Sequence, residues 1–478
     1  MTPAAQLPSL SRSAVVFLAA LWLVKVGLLL LLGPVVFPDT GLYLHLGGEI
    51  LNNPAWWRDG GWGDGFAPPA LLRPYGYPLL VAGARLLAGS SYDHVLGLLQ
   101  ISASVALLAL FVRVAWSLIA DRRLLAVLTL LAALSGFSLF DGALLTDSLY
   151  SVLFLAVLLT LVAQMLGRAT PGWAISLVLG VAWALSLSLR DVGLFHTIFP
   201  LVGVVLAARR HGLGLGRTVS LAFCFVLPVV LFVAVVIVWN GYRTGHPFYS
   251  ITGGVNWLWP SVNMADRGLA NPFDCADQVC DAARAHGVGK GMDGVLGLAQ
   301  ALWSDDHLDP VALGRVTLHH FLQTTGAHPV AFVVSVLGNM QLAHLADLAF
   351  NPLVNINEFC RLNAAIGTRL VPGLRELLQA VRHGELQVLP ALLGSVVLAL
   401  ASLAGLVAFV IGTPIVAWRH RFDRESRVII FLWAVAILFV GSYSIVHMEM
   451  RHAMPVIPLI LLVTGWTLGR VNKLSNRP

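Results

Sequence analysis

Long apolar stretches separated by short polar segments run through the whole chain. A helix needs about 20 apolar residues to cross a hydrocarbon core about 30 Å thick. Stretches of this kind begin near positions 14, 94, 124, 148, 171, 192, 218, 388, 427 and 452. The pattern therefore predicts an all-α polytopic membrane protein with about ten spans, and no internal repeat is visible in it.

Two further segments, 75–89 and 327–350, are apolar but carry polar residues inside them. Cytoplasmic loops of membrane proteins are enriched in Lys and Arg, so the basic loops orient the chain. If the N-terminus is cytoplasmic and neither segment crosses, every basic cluster falls inside, namely 121–123, Arg168, 209–217, 419–427 and the C-terminal tail. We therefore predict that both segments are external interfacial or re-entrant helices, although two extra crossings with one shifted boundary would give about twelve spans.

Composition agrees with this class of protein. Hydrophobic residues make up 58% of the 478 residues and charged residues only 11%, whereas about 25% of the residues of a soluble protein are charged. A net charge of +6 is what basic loops contribute to a membrane protein, so we expect membrane lipids and no nucleic acid as partners.

This topology places five segments on the external face, namely 34–93, 141–147, 190–191, 239–387 and 447–451. The first and the fourth are long and rich in Gly, Pro, Trp and polar residues. They divide the chain into a transmembrane module (1–238) that includes the loop 34–93, a large external loop with interfacial helices (239–387) and C-terminal transmembrane helices (388–478). Long external loops of this kind indicate chemistry at the outer membrane face.

Charged residues from distant parts of the chain gather at that face. Asp39 ends the first span, and Asp147, Arg190 and Arg451 lie in later external turns. Each has an ordinary explanation, because either aspartate can cap the helix that follows it. Arg190 can pair with the adjacent Asp191 in an exposed turn, and Arg451 can extend to the membrane interface. Taken one at a time, these residues do not separate a structural role from a catalytic one.

Other polar groups carry less information. Lys25 lies in the middle of the first span, so we expect it to face the protein interior and to pair there. Cys275 and Cys280 lie in the predicted large external loop. The sequence allows either a disulfide between them or two free thiols. The acidic stretch 304–310 indicates a helix start rather than a metal site, and the segment 287–291 (GVGKG) lacks the first glycine and the Ser/Thr of a phosphate-binding loop.

Six short motifs lie in order along the chain. They are Asp39-x-x-x-Tyr43, 71–89 (LLRPYGYPLLVAGARLLAG), 144–158 (LLTDSLYSVLFLAVL), 187–201 (LSLRDVGLFHTIFPL), 239–259 (WNGYRTGHPFYSITGGVNWLW) and 449–460 (EMRHAMPVIPLI). By their order and topology the chain resembles the GT-C membrane glycosyltransferases over most of its length. The branch it resembles most contains protein mannosyltransferases and aminoarabinose (ArnT-like) transferases, although Thr40 stands where many of them carry a second acidic residue.

The resemblance implies a GT-C fold with about ten to twelve transmembrane helices. It implies transfer of a sugar from a polyprenyl-phosphate donor to a hydroxyl of a glycan, lipid or protein acceptor, with inversion, at the external face of the plasma membrane. No residue is assigned to a metal, and a divalent cation is left open as a cofactor.

The same resemblance implies roles for individual residues. Asp39 is the expected general base, with Asp147 as a second catalytic carboxylate, because an attacking hydroxyl must lose its proton. A departing phosphate needs positive charge, for which the candidates are Arg190, Arg451 and Arg73. The expected substrate-binding residues are Tyr43, Tyr75, Tyr77, Glu449 and His452.

Two other functions are compatible with a polytopic chain. A transporter or lipid flippase would be expected to carry several charges at mid-membrane and paired half-repeats, whereas Lys25 is the clear mid-span charge and no repeat is visible. An O-antigen ligase or polymerase type of enzyme also works at the external face. Its long loop normally lies late in the chain, and it lacks the early Asp-x-x-x-Tyr pattern.

Overall fold

The computed structural model describes residues 6–53, 74–304 and 307–475, and within these ranges the chain is helical and contains no strand. In the first half the helices are α1 (Arg12–Leu32), α2 (Thr40–Asn52), α3 (Gly76–Ala88), α4 (Tyr92–Leu118), α5 (Arg122–Ala133), α6 (Gly136–Leu139), α7 (Thr146–Met165), α8 (Trp173–Leu189), α9 (Gly193–His196), α10 (Ile198–Arg210) and α11 (Leu215–Thr244). The middle of the chain forms α12 (Thr252–Asn256), α13 (Trp259–Asp266), α14 (Gln278–His286), α15 (Gly291–Ser304), α16 (Pro310–Ala327), α17 (Pro329–Asn339), α18 (Leu342–Phe350), α19 (Pro352–Leu362) and α20 (Leu374–Arg382). The last part forms α21 (Leu389–Val407), a π-helical turn (Ala408–Gly412), α22 (Thr413–Arg419), α23 (Arg424–Val446) and α24 (Ile457–Ser475).

Eight helical stretches of the described chain are long and apolar enough to cross a membrane. Seven of them match predicted spans, and the eighth is the α17–α18 pair. The spans predicted from 171 and 452 are the shorter apolar helices α8 and α24. The prediction of an all-helical polytopic membrane protein is confirmed, and which face is external stays a prediction.

The span predicted from 124 is shorter than expected, because α5 ends at Ala133. The Ser135 hydroxyl donates to the carbonyl oxygen of Ala132 at 2.8 Å, and the Ser135 carbonyl accepts from the amide of Leu139 at 2.9 Å, which starts α6. A serine that bonds its own backbone in this way competes with the helix ladder. The chain therefore turns here instead of continuing as one straight helix.

Both ambiguous segments differ from an ordinary span. Helix α3 has 13 residues, fewer than a crossing needs, and a turn at Gly89 (φ +56°) leads into α4, against which α3 packs. The segment 327–350 is divided into α17 and α18 by Gln341, which has φ +44°. Neither half is long enough to cross alone, although together they are, so the expectation that this segment does not cross stays a prediction.

Helix α7 forms the centre of the bundle. It packs against α4, α8 and α10, and most of its length is buried, whereas most of α1 is exposed on the bundle surface. The large loop after α11 has a separate hydrophobic core contributed by α12 to α16, with Leu258, Val262, Val295 and Leu302 at its centre. The loop is therefore a folded helical unit, and a disulfide joins Cys275 to Cys280 within it.

Candidate active site

Asp39 lies directly before α2, but its carboxylate does not cap that helix. Instead, Asp39 Oδ2 lies 2.9 Å from Nη1 of Arg451, which comes from the turn before α24. The Asp39 side chain is 21% exposed. The neighbouring Thr40 holds the turn in place, because its hydroxyl donates to the carbonyl oxygen of Leu144 at 2.9 Å. The carboxylate is thus fixed in position and still reachable.

Arg451 holds a second carboxylate, since its Nε lies 2.6 Å from Oε2 of Glu449. Burial raises the pKa of Glu449, but the hydrogen bond from His447 and the charge of Arg451 outweigh burial and bring it down to about 2. Burial lowers the pKa of Arg451, and the negative charges of Asp147, Glu449 and Asp39 reverse this and raise it. Arg451 and Glu449 are therefore both ionised at neutral pH, and Arg451 is anchored instead of extending freely to the interface.

Asp147 and Arg190 form a second ion pair beside the first. Asp147 is buried in the first turn of α7, where its side chain makes no capping bond. Burial lowers the pKa of Arg190, but the negative charge of Asp147 raises it above its usual range. Arg190 lies over the ring of Tyr443, with 5.9 Å between its Cζ and the ring centroid. Its partner is therefore Asp147 and not the adjacent Asp191, which accepts a hydrogen bond from Ser250.

A third cluster joins the start of α3 to the end of α11. Tyr75 donates to Oδ1 of Asn240 at 3.1 Å, and Arg243 donates to the same oxygen at 2.9 Å and also to the Tyr75 hydroxyl. Asn240 in turn donates to the carbonyl oxygen of Phe248 at 2.9 Å. Sequence analysis missed Asn240 and Arg243 as candidates, although both lie in the motif 239–259 at the predicted external end of a span.

An apolar cavity of about 770 Å³ lies between α3, α4, α7, α8 and α11. Its walls are formed mainly by apolar side chains, among them Leu79, Leu99, Leu149, Leu153, Leu185, Phe232, Val235 and Trp239. Its few polar groups belong to Tyr75, Ser188, Asp191, Asn240, Tyr249 and Ser250. Asp191 and Leu149, which line the cavity, are one and two residues from Arg190 and Asp147 in the chain, but neither ion pair itself lines the cavity.

Two more of the predicted residues, Tyr43 and Tyr77, are buried between helices. Tyr43 is buried, with its hydroxyl 3.5 Å from that of Thr146, and its ring packs edge-on against Tyr77. Tyr77 is fully buried and donates to Gln100 at 2.9 Å, so it lies in the helix packing and away from the cavity. Arg73 lies outside the described residues.

His452 is also part of the supporting structure. Its ring stacks on Tyr443 at 4.7 Å, and its Nδ1 accepts a hydrogen bond from the amide of Glu449 at 3.2 Å. Burial, followed by the positive charge of Arg190, holds the pKa of His452 well below its usual range. The neutral ring therefore stabilises the turn that carries Glu449 and Arg451.

A chain of contacts links the large loop after α11 to this turn. The ring of Trp259 in α13 stacks on His447 with 4.4 Å between centroids, and His447 Nε2 lies 3.2 Å from Oε1 of Glu449. Asn263, one turn further along α13, donates to the carbonyl oxygen of Val446 at 2.8 Å. These contacts continue through Arg451 to Asp39, and no local sequence pattern indicated them.

Two of the weaker sequence signals have structural explanations. Asp309 caps α16 by accepting from the amides of Val311 and Ala312, as expected for a helix start. Cys275, Asp277, Cys280 and His320 lie close enough to hold a metal ion. In this group both sulfurs belong to the disulfide, and Asp277 pairs with the buried His320 at 2.8 Å.

No protein-family model and no curated protein matches the chain. Among solved structures, the chain is similar to ArnT from Cupriavidus metallidurans in the apo state, with 15% identity and a TM-score of 0.34 over 96% of this chain and 76% of that one. It is also similar to the same protein bound to undecaprenyl phosphate, with 17% identity and a TM-score of 0.33 over 96% and 79% of the two chains. At this degree of likeness, the functional conclusions rest on the site itself.

Proposed function

We propose that the chain is an integral-membrane glycosyltransferase that moves a sugar from a polyprenyl-phosphate donor to a hydroxyl acceptor at the external membrane face. The observation that carries the proposal is the grouping of a reachable carboxylate, Asp39, with two arginines, Arg190 and Arg451, from distant parts of the chain. The charged groups suit the phosphate and the sugar, and the apolar cavity, whose wall includes Asp191, suits a prenyl chain.

The two arginines supply the positive charge that a departing phosphate requires. Each guanidinium has five N–H donors, so it can bind a phosphate oxygen while it keeps its carboxylate partner. Arg190 and Arg451 both lie among carboxylates that keep them protonated. Arg243, which donates to Tyr75 and Asn240 beside the cavity, adds a third cation close to the donor.

Asp39 is the proposed general base. It accepts the proton of the acceptor hydroxyl while that oxygen forms a bond to the anomeric carbon and the bond from this carbon to the phosphate oxygen breaks. Attack from the side opposite the phosphate inverts the anomeric centre. Asp147 is buried behind Arg190, so we assign it the positioning of that arginine in place of the catalytic role expected from the sequence.

The Asp39→Asn variant tests the central assignment. Purified protein in nanodiscs is supplied with a polyprenyl-phosphate sugar and a panel of hydroxyl acceptors, and transfer is measured by the mass of the product. We expect transfer to fall by about 10²- to 10⁴-fold, which is the usual contribution of a general base. Asp93→Asn is the matched control, because it removes a partly exposed carboxylate near the start of α4 and should leave transfer unchanged.

The outcomes of this assay separate the candidate functions. Full activity in a folded Asp39→Asn variant would refute the assignment of the base. Absence of transfer with every lipid donor, together with substrate-dependent transport in vesicles, would favour the transporter. Orientation is tested separately with Ser90→Cys, an exposed position in the turn between α3 and α4. This thiol should react with an impermeant reagent added outside, whereas the parent protein should not.

A further inference from the structure

Three arginines from separate helices converge at the end of the bundle opposite Asp39. Arg168 lies three residues after the end of α7, Arg210 is the last residue of α10, and Arg424 is the first residue of α23. Asp147 lies at the other end of α7, so the whole length of that helix, about 30 Å, separates this arginine cluster from the candidate active site.

The backbone at Gly167 shows how closely these side chains approach each other. A Cβ atom at Gly167 would lie 2.7 Å from Nη2 of Arg424 and 3.9 Å from Nη2 of Arg210. The charges of Arg210 and Arg168 both act on Arg424. The guanidinium groups of Arg424 and Arg210 therefore meet beside Gly167, within the field of Arg168, and these like charges repel.

Carboxylates neutralise this cluster only weakly, through the charge of Glu425 on Arg424. Within the described ranges, no acidic side chain forms an ion pair with any of the three arginines. Glu425, next to Arg424 in the chain, pairs with Arg470 instead, and Asp423 caps α23 by accepting from Ser426. The Nε of Arg424 is buried and has no hydrogen-bond partner there. Arg424 also lies at the positive end of the α23 dipole, which adds to the unfavourable charge.

We propose that the arginine cluster binds a phosphate group, supplied by the headgroup of an anionic phospholipid at the membrane face opposite the candidate active site. Oxygen atoms of a phosphate accept several guanidinium N–H groups at once. The cluster lies where the apolar helices α7 and α10 end, which places it at the depth of lipid headgroups. Arg210 is exposed and Arg168 is partly exposed, so a headgroup can reach them.

The test compares two double variants. Arg210→Gln with Arg424→Gln removes two charges from the cluster, and Arg123→Gln with Arg217→Gln removes two exposed charges from the same end of the bundle. Binding of phosphatidylglycerol is titrated by native mass spectrometry and by the Tm in nanodiscs of phosphatidylcholine with and without phosphatidylglycerol. We expect both variants to lose the general attraction of two basic residues to anionic lipid. The cluster variant should bind phosphatidylglycerol about tenfold more weakly than the control variant, because it also loses guanidinium–phosphate hydrogen bonds.

Three results decide the proposal. Equal losses in the two double variants would show only the general attraction of a basic surface to anionic lipid and would overturn it. A lower Tm of the cluster variant in phosphatidylcholine alone would also overturn it, because removing repulsion should leave Tm unchanged or raise it. A third arm uses inorganic phosphate in detergent. Protection of the parent protein by phosphate as strong as that by phosphatidylglycerol would assign the site to a soluble phosphate and overturn the lipid assignment.

Discussion

Two ion pairs near one end of this protein use the same chemistry in different surroundings. Lys25 and Asp141 lie 2.5 Å apart with side chains only 8% and 3% exposed, whereas Arg451 and Asp39 lie 2.9 Å apart with side chains 12% and 21% exposed. Lys25 also donates to the carbonyl and the hydroxyl oxygen of Ser138, so all its contacts are internal. Asp39 belongs instead to a group of charges around Arg451 that includes Glu449 and Asp147.

The difference separates a structural role from a chemical one. The buried pair of Lys25 and Asp141 (the closed pair) ties α1 to the turn before α7. Gln100 strengthens this turn by donating to the carbonyl oxygens of Asp141 and Ala143. Nothing from outside can reach its carboxylate. The pair of Arg451 and Asp39 (the open pair) has a reachable carboxylate on a fixed backbone, which is what a base that meets a substrate needs.

The largest effect is expected from Lys25→Met. It leaves the buried Asp141 without its cation, which costs about 3–5 kcal/mol of folding free energy, and the Tm should fall strongly. Lys25→Met combined with Asp141→Leu should recover most of the loss, because an apolar pair of similar volume often replaces a buried ion pair without cost. If the single variant keeps its Tm but loses transfer, Lys25 belongs to the active site and the distinction fails.

Arg451→Gln is the equivalent change in the open pair and should have the opposite consequence. Asp39 and Glu449 are partly exposed, so their loss of a cation should cost about 1 kcal/mol or less of stability. Transfer should fall by about 10²- to 10³-fold, because a donor to developing negative charge contributes about that much. Measuring the Tm and the transfer rate on one preparation gives both numbers. A large drop in Tm with an unchanged rate per folded molecule would contradict the assignment.

The sequence predicted more of the fold than of the site. Apolar stretches of membrane length place the spans because the bilayer fixes how long a helix must be, and the pairing of Lys25 followed from the cost of a mid-membrane charge. The roles of Asp39 and Asp147 could not be settled in this way, since a carboxylate at a helix start is equally suited to capping. The missing capping bond and the contact with Arg451, more than 400 residues away in sequence, separate Asp39 from a cap.

The motif order located the charged residues but not what supports them. Arg243 and Asn240 have no distinctive local pattern, and their relation to Tyr75 depends on how α3 folds back towards α11. Tyr77, two residues after Tyr75 in the motif 71–89, instead lies in the helix packing. Each residue along a helix rotates the side chain by about 100°, so the two tyrosines point to different sides, which the spacing of a weak motif does not resolve.

The smallest effect concerns the link between the large loop after α11 and the open pair. Trp259→Leu removes the stacking on His447, a contact worth about 0.5–1.5 kcal/mol. Glu449 then loses part of what holds it on Arg451, and we expect transfer to fall by about 3- to 10-fold through kcat. Trp257→Leu is the matched control, because it removes a comparable aromatic contact in the same loop, with Phe321, and should leave kcat unchanged.

A double-variant cycle separates this link from a general loosening of the loop. If Trp259 acts through His447, then Trp259→Leu should have no further effect on kcat in a His447→Gln background. Additive losses in the double variant would instead mean that Trp259 supports the loop independently of Glu449. In that case the open pair is positioned by the membrane helices alone, as the closed pair is, and the two pairs differ only in their exposure.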